Sequence, residues 1–193
     1  MVASEIILSD EQQLFVSKAL IGKNILVDAC IGSGKTTAIQ QLCNTFPSDK
    51  KVLYLTYNKR LKIDAINKIK RKKVTVTNYH GFAYMILKRI GKSAGISDMI
   101  QLFLKEIDTV PEYDVLIIDE YQDIDQELSE LLEVIKTSNP EMQIIAVGDM
   151  EQKIYDKTSL DVRAFINIFL DKHEKLEFTK CFRISEEFAA MLG

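Results

Sequence analysis

The chain has 193 residues, 47% of them hydrophobic, and a formal net charge of −3 at pH 7. That length and hydrophobic content suit one compact domain with a substantial core. No apolar run approaches the ~18 residues of a membrane span, the N-terminus lacks the basic-then-apolar pattern of a secretory signal, and the net charge opposes bulk attraction to nucleic acid.

In chain order, Ser9-Asp10-Glu11-Gln12 is a capping-box pattern that opens a helix running to about Leu20. Asn24-Ile25-Leu26-Val27-Asp28 is a short apolar run of strand type, over 24–29. It leads into Ala29-Cys30-Ile31-Gly32-Ser33-Gly34-Lys35-Thr36, and apolar positions at helical spacing follow over 36–45. Strand, Gly-rich loop and helix in that order make a phosphate-binding loop. Its glycines let backbone N–H groups curl round phosphates, and the helix N-terminus adds its dipole. Lys35 then reaches the β- and γ-phosphates, and the Thr36 hydroxyl ligates magnesium. The general pattern begins with Gly, where this chain has Ala29. The bland alternative is a Gly-rich turn that happens to contain Gly-Lys-Thr.

Further strands are predicted at 52–56, 74–77, 113–118, 143–147 and 175–179, and helices at 59–71, 80–90, 97–108, 124–136 and 161–170. Pro47, Gly91, Gly95 and Pro140 fall between elements, where breakers belong. Strand–helix alternation of this kind means an α/β fold with a mostly parallel sheet flanked by helices, nucleotide lying at the carboxyl ends of its strands. Between Lys59 and Lys73 lie eight cations opposed only by Asp64. This run reads equally as a phosphate-neutralising surface or as a solvated helix face and loop. Tyr57 and Tyr79 offer stacking faces for bases, although an aromatic beside a strand is more often core.

Tyr113-Asp114-Val115-Leu116-Ile117-Ile118 has no polar alternation and reads as a strand buried on both faces. Asp119-Glu120-Tyr121-Gln122-Asp123 follows it. Next to a phosphate loop, Asp119 is expected to hold magnesium and Glu120 to activate the attacking water. The loop alone says nucleotide; the acid pair says that a triphosphate is cleaved. A solvated acidic turn capping the next helix is the competing reading. Cys30, Cys43 and Cys181 are scattered and form no metal-type pair, so reduced thiols in an intracellular, cytoplasmic protein are expected. Asn58-Lys59-Arg60-Leu61 lacks the Asp of a guanine-reading motif, and no Arg-rich kinase lid is present.

Ala-x-x-Gly-Ser-Gly-Lys-Thr together with Asp-Glu-x-Gln-Asp resembles superfamily 1 DNA helicases of the UvrD/Rep type, in which Ala commonly replaces the first loop Gly. Leu8-Ser9-Asp10-Glu11-Gln12 resembles the family's adenine-reading segment. Leu55-Thr56-Tyr57-Asn58-Lys59 and Asn78-Tyr79-His80-Gly81-Phe82 resemble its strand-binding segments. Val147-Gly148-Asp149-Met150-Glu151-Gln152 resembles its γ-phosphate sensor, and Phe178-Thr179-Lys180-Cys181-Phe182-Arg183 its stacking aromatic and arginine.

The resemblance implies an N-terminal, ATP-binding RecA-like domain over residues 1–193, with ATP and Mg2+ as cofactors and single-stranded DNA as partner. It assigns Ala29, Cys30, Ile31, Gly32, Ser33, Gly34, Lys35, Thr36 and Thr37 to the nucleotide, with Gln12 and Phe182 on the base. It also assigns Thr36 and Asp119 to the metal, Glu120, Gln152 and Arg183 to catalysis, and Thr56, Tyr57, Asn58, Tyr79 and His80 to DNA. It implies 3′-to-5′ movement and a second RecA-like domain in the full-length protein. The chain departs from the family in having no Trp, Thr37 where many relatives carry Arg, and only residues 86–111 where an accessory domain is usual. A lone ATP- or DNA-binding module, or a fragment without unwinding activity, is the alternative function.

Overall fold

The structure is a computed structural model and describes residues 7–57, 59–152 and 160–180. Six strands, β1 Ile25–Ala29, β2 Val52–Leu55, β3 Val74–Thr77, β4 Val115–Asp119, β5 Gln143–Gly148 and β6 Glu174–Phe178, form one parallel sheet in the order β3-β2-β4-β5-β1-β6. Seven helices among the described residues cover it: α1 Asp10–Leu20, α2 Lys35–Thr45, α3 Lys59–Lys68, α4 Tyr79–Arg89, α5 Ile96–Glu106, α6 Gln126–Ser138 and α7 Val162–Phe169.

Strand period decides which helix meets which side chain. Leu26, Leu53, Leu55, Leu116, Ile118, Ile144 and Ala146 point to the face covered by α4, α5, α6 and α7. Ile25, Val27, Val52, Tyr54, Val115, Ile117, Ile145 and Val147 point to the face covered by α1, α2 and α3. Both faces of β2, β4 and β5 are therefore buried, which explains their unbroken apolar sequences. Residues 86–111 supply the end of α4 and all of α5. Met99, Ile100 and Phe103 of α5 join the same cluster as α4, with the Phe82 and Phe103 rings 5.9 Å apart.

The expected alternation is present, with small shifts at the ends that have local causes. Helix α3 stops at Lys68 rather than 71 because Asn44 takes the chain over. Asn44 Oδ1 accepts from the Lys70 N–H at 2.9 Å, and its carbonyl accepts from the Arg71 guanidinium at 2.6 Å. Asp125 caps α6 by accepting from the Leu128 N–H at 2.8 Å, so the helix begins at Gln126. Among the described residues no helix is long and apolar enough to cross a membrane.

Two helix starts differ from the capped ones. The starts of α1, α4, α6 and α7 are each satisfied by a Ser, Asn or Asp side chain, whereas among the described residues α5 starts at Gly95 without a side-chain cap and no side chain caps α2. Its first N–H groups face the loop that joins β1 to α2, at the carboxyl end of the sheet. A helix start left open in this way is an anion site in waiting.

Candidate active site

The loop between β1 and α2 takes its shape from glycine. Gly32 and Gly34 have φ of 73° and 79°, a region that a side chain resists. The loop is pinned from outside at both ends. The Cys30 N–H donates to the Phe178 carbonyl at 3.1 Å, and Gln12 Nε2 donates to the Gly34 carbonyl at 2.9 Å. Gln12 is 3% exposed and also completes the α1 capping box, its Oε1 accepting from the Ser9 N–H. The residue expected to read adenine is thus committed to the loop and the helix cap in this structure. Glu11, beside it, accepts from the N–H groups of Thr179 and Lys180, so α1 holds the phosphate loop and the exit of β6 together.

Lys35 begins α2 and sends its ammonium to the end of β4, where it contacts Glu120 and, at 3.3 Å, Asp119 Oδ1. Strand β5 lies between β1 and β4, so the loop and the acid pair face each other across one strand. Asp119 is 0% exposed. Its Oδ2 accepts from the Tyr54 hydroxyl at 3.1 Å and its Oδ1 from the Glu120 N–H at 2.9 Å. The competing picture of a solvated acidic turn is excluded for Asp119. Burial pushes the Asp119 carboxyl above the usual range, and Lys35 offsets only part of that. Burial pulls the Lys35 ammonium down, but Asp119 and Glu120 together outweigh it and leave it above the ordinary lysine value. The pair is a fixed cation against two carboxylates, one of them deeply desolvated.

Glu120 has φ 57° and ψ 47°, left-handed backbone in a residue with a Cβ. Such a conformation costs on the order of 1–3 kcal/mol and persists only where surrounding contacts fix it. Here it turns the chain sharply off β4 into a 3-10 turn over Tyr121–Asp123. The turn brings Gln122 back so that its Nε2 donates to Glu120 Oε2 and its Oε1 accepts from the Asp149 N–H at 3.0 Å. Tyr121 donates its hydroxyl to Asp28 Oδ1 at the end of β1.

The other expected site residues fall into three groups. Ala29 closes β1, and Cys30, Ile31, Ser33, Thr36 and Thr37 lie along the loop and the first turn of α2. Ser33 Oγ is buried with no hydrogen-bond partner among the described residues. Thr56 and Asn78 follow β2 and β3 at the same end of the sheet, where the Thr56 N–H donates to the Thr77 carbonyl. Thr56 Oγ1 is buried with no partner among the described residues. Tyr57 is 53% exposed, and His80 is exposed on the first turn of α4. Tyr79 is a correction: it is 3% exposed and packs in the core with Phe82 and Ile118, so its ring offers no face to a base. Gln152 ends a 3-10 turn over Met150–Gln152 just after β5. Asn58, Phe182 and Arg183 lie outside the described residues, as does the side chain of Gln152.

The basic run divides between α3 and the segment before β3. Lys70, Arg71, Lys72 and Lys73 precede β3 and are exposed at the amino end of the sheet, opposite to Thr56 and Tyr57. Sequence reasoning gave no role to Tyr54, Gln122 or Gly148. The one available signal was Tyr54 in a fully apolar strand, since a buried phenol requires a partner for its hydroxyl.

Residues 12–158 match the family model described as AAA domain. The chain belongs to this family. No curated protein matches the sequence. Among solved structures, this AAA domain is similar to the Pif1 helicase from Candida albicans, with a TM-score of 0.60 and 20% identity over 97% of this chain and 44% of that one. It is also similar to Pif1 from Bacteroides in complex with ADP-AlF3 and ssDNA, with TM-score 0.54 and 18% identity over 91% of this chain and 43% of that one. A hypothetical ATP-dependent RNA helicase from Sulfolobus tokodaii gives a TM-score of 0.58 and 16% identity over 90% of this chain and 54% of that one. The AAA domain thus has the RecA-like α/β fold of these helicase structures, and spans about half or less of the chains it resembles.

Proposed function

We propose that this AAA domain is the ATP-binding motor half of a UvrD-like superfamily 1 helicase, which hydrolyses Mg-ATP and contacts single-stranded DNA. One observation carries the reading. The loop ammonium of Lys35 and the acid pair Asp119-Glu120, 84 residues apart in sequence, meet at one point at the carboxyl end of a parallel sheet. The Pif1 structure holding ADP-AlF3 and ssDNA supports both ligands, although it is alike in fold alone.

The donor set fits the ligands. A Ser33 hydroxyl buried with no partner among the described residues, two left-handed glycines and an uncapped α2 make an anion cradle. Thr36 and Asp119 offer hard oxygen ligands. The described residues hold no cluster of three or more His, Cys, Asp or Glu that would cage a metal by themselves, as suits Mg2+, which takes one or two carboxylates and completes its shell with phosphates and water. When bound, magnesium neutralises the charge that develops on the phosphates.

In this reading the Lys35 ammonium turns from the carboxylates to the β- and γ-phosphates. Glu120, released from that ion pair, accepts a proton from the attacking water. Gln152 and Arg183 contact the γ-phosphate, and Gln12 and Phe182 border the base, Gln12 once its amide leaves Gly34. Thr56, Tyr57, Asn58 and His80 contact the strand, with Tyr57 as the stacking face.

The test separates binding from cleavage. Glu120→Gln is expected to leave the affinity for Mg-ATP largely intact and abolish hydrolysis. Lys35→Ala is expected to weaken binding by about 10- to 100-fold, since a charge-assisted phosphate contact contributes roughly 1.5–3 kcal/mol. Equal hydrolysis by Glu120→Gln and the unmodified chain would remove Glu120 as the base. Unchanged affinity in Lys35→Ala would leave a binding module of another kind.

A further inference from the structure

Gln122 is buried, and both halves of its amide are used in only one orientation. The Glu120 carboxylate needs a donor and the Asp149 N–H needs an acceptor, so Nε2 meets the first and Oε1 the second. The neighbouring backbone comes close to this amide. A Cβ on Gly148 would lie 2.4 Å from Gln122 Oε1 and 2.6 Å from Tyr121 Cδ1, so the glycine at the end of β5 is what lets the amide sit there. Asp149 in turn accepts from the Glu151 N–H at 2.9 Å and opens the turn that ends in Gln152. A continuous line of contacts therefore runs from Lys35 through Glu120 and Gln122 to the loop after β5.

From this line we infer that Gln122 is a positioning residue, tying the Glu120 carboxylate to the loop after β5 so that it keeps one position when Lys35 leaves it. The inference rests on the proposed role of Glu120. Among the described residues the Glu120 carboxylate contacts the side chains of Lys35 and Gln122. Once phosphates take Lys35, Gln122 is the anchor that remains among the described residues for a carboxylate on strained backbone. Without it the carboxylate turns freely, and a base misplaced by about 1 Å can lose on the order of a hundredfold in rate. Binding of phosphates relies on the loop, which Gln122 does not touch, so affinity and cleavage must separate.

The experiment compares the unmodified chain with Gln122→Met, which keeps the volume and removes the amide. Gln122→Glu is the second variant; it keeps an acceptor for Asp149 but sets a carboxylate against Glu120. Equilibrium binding of a fluorescent ATP analogue with Mg2+ and single-turnover cleavage of ATP are measured for each. Both variants are expected to bind within about threefold of the unmodified chain and to cleave about tenfold more slowly or worse, the pattern of an interaction that matters only in the transition state. The Asp149 amide is expected to exchange its hydrogen faster in Gln122→Met and at the unmodified rate in Gln122→Glu. Cleavage within about twofold of the unmodified chain in either folded variant overturns the inference. So does a loss of affinity as large as the loss of cleavage, which would mark a merely structural residue. An unmodified chain that binds no nucleotide overturns the site reading and this inference together, and is recognised before any variant is made.

Discussion

Cys30 and Cys43 flank the same loop and helix, and burial separates their chemistry. Cys43 is fully buried on α2, and loss of hydration pushes its thiol up to about 12, so almost none is thiolate at pH 8. Cys30 is half-buried in the loop beside Lys35 and the start of α2. Iodoacetamide at pH 8, read by peptide mass mapping, is therefore expected to modify Cys30 and spare Cys43. Saturating Mg-ATP is expected to slow the labelling of Cys30, and a labelled loop to bind no nucleotide. Labelling kinetics indifferent to Mg-ATP would take Cys30 out of the nucleotide's path. At this scale the loop was legible because its backbone demands Gly and Lys at fixed offsets. Tyr57 and Tyr79 were not separable in sequence: each follows a strand end closely, and only packing of α4 on the sheet sends one ring inward and leaves the other outside. Gln122 was visible within the acidic string. Its contacts depend on the left-handed turn at Glu120 and on Gly148, which no local pattern announces.

At the scale of elements, the basic run between Lys59 and Lys73 is divided by the helix it sits on. A ten-residue helix is about 15 Å long, so the backbone at its two ends is separated by more than the Debye length of about 8–10 Å at ordinary salt. Lys70, Lys72 and Lys73 lie at the end of the sheet away from Thr56 and Tyr57. Changing these three to Glu is expected to alter single-stranded DNA affinity by no more than about twofold. If they did contact phosphates, the slope of log affinity against log salt would fall by about two, and titrations at several salt concentrations distinguish the cases. The strands and helices themselves were legible because period and breakers agree along the whole chain. Their ends were less so, since Asn44, far from α3 in sequence, decides where that helix stops.

At the scale of the molecule, the candidate site opens on the carboxyl end of a single sheet. In the proposed mechanism Arg183 and a second RecA-like domain complete the shell round the γ-phosphate, and an arginine of that kind contributes about a thousandfold or more in rate. The 193-residue chain by itself is expected to bind Mg-ATP, cleave it slowly and unwind nothing. A strand-displacement assay on duplex with a 3′ single-stranded tail and Mg-ATP checks this, and robust unwinding would overturn it. The strand order has a separate consequence, for the birth of the protein. β1 leads into the Gly-rich loop, yet among the described residues it pairs with β5 and β6 alone, whose nearest partner residues are made 120 positions later. At about 5–20 residues per second of synthesis, this apolar strand waits roughly 6–24 s for its first neighbour. In the proposed reading, nucleotide affinity is expected to arise late in synthesis, and a nascent chain that ends before Gln143 is expected to have the whole loop sequence and no β5 to hold it.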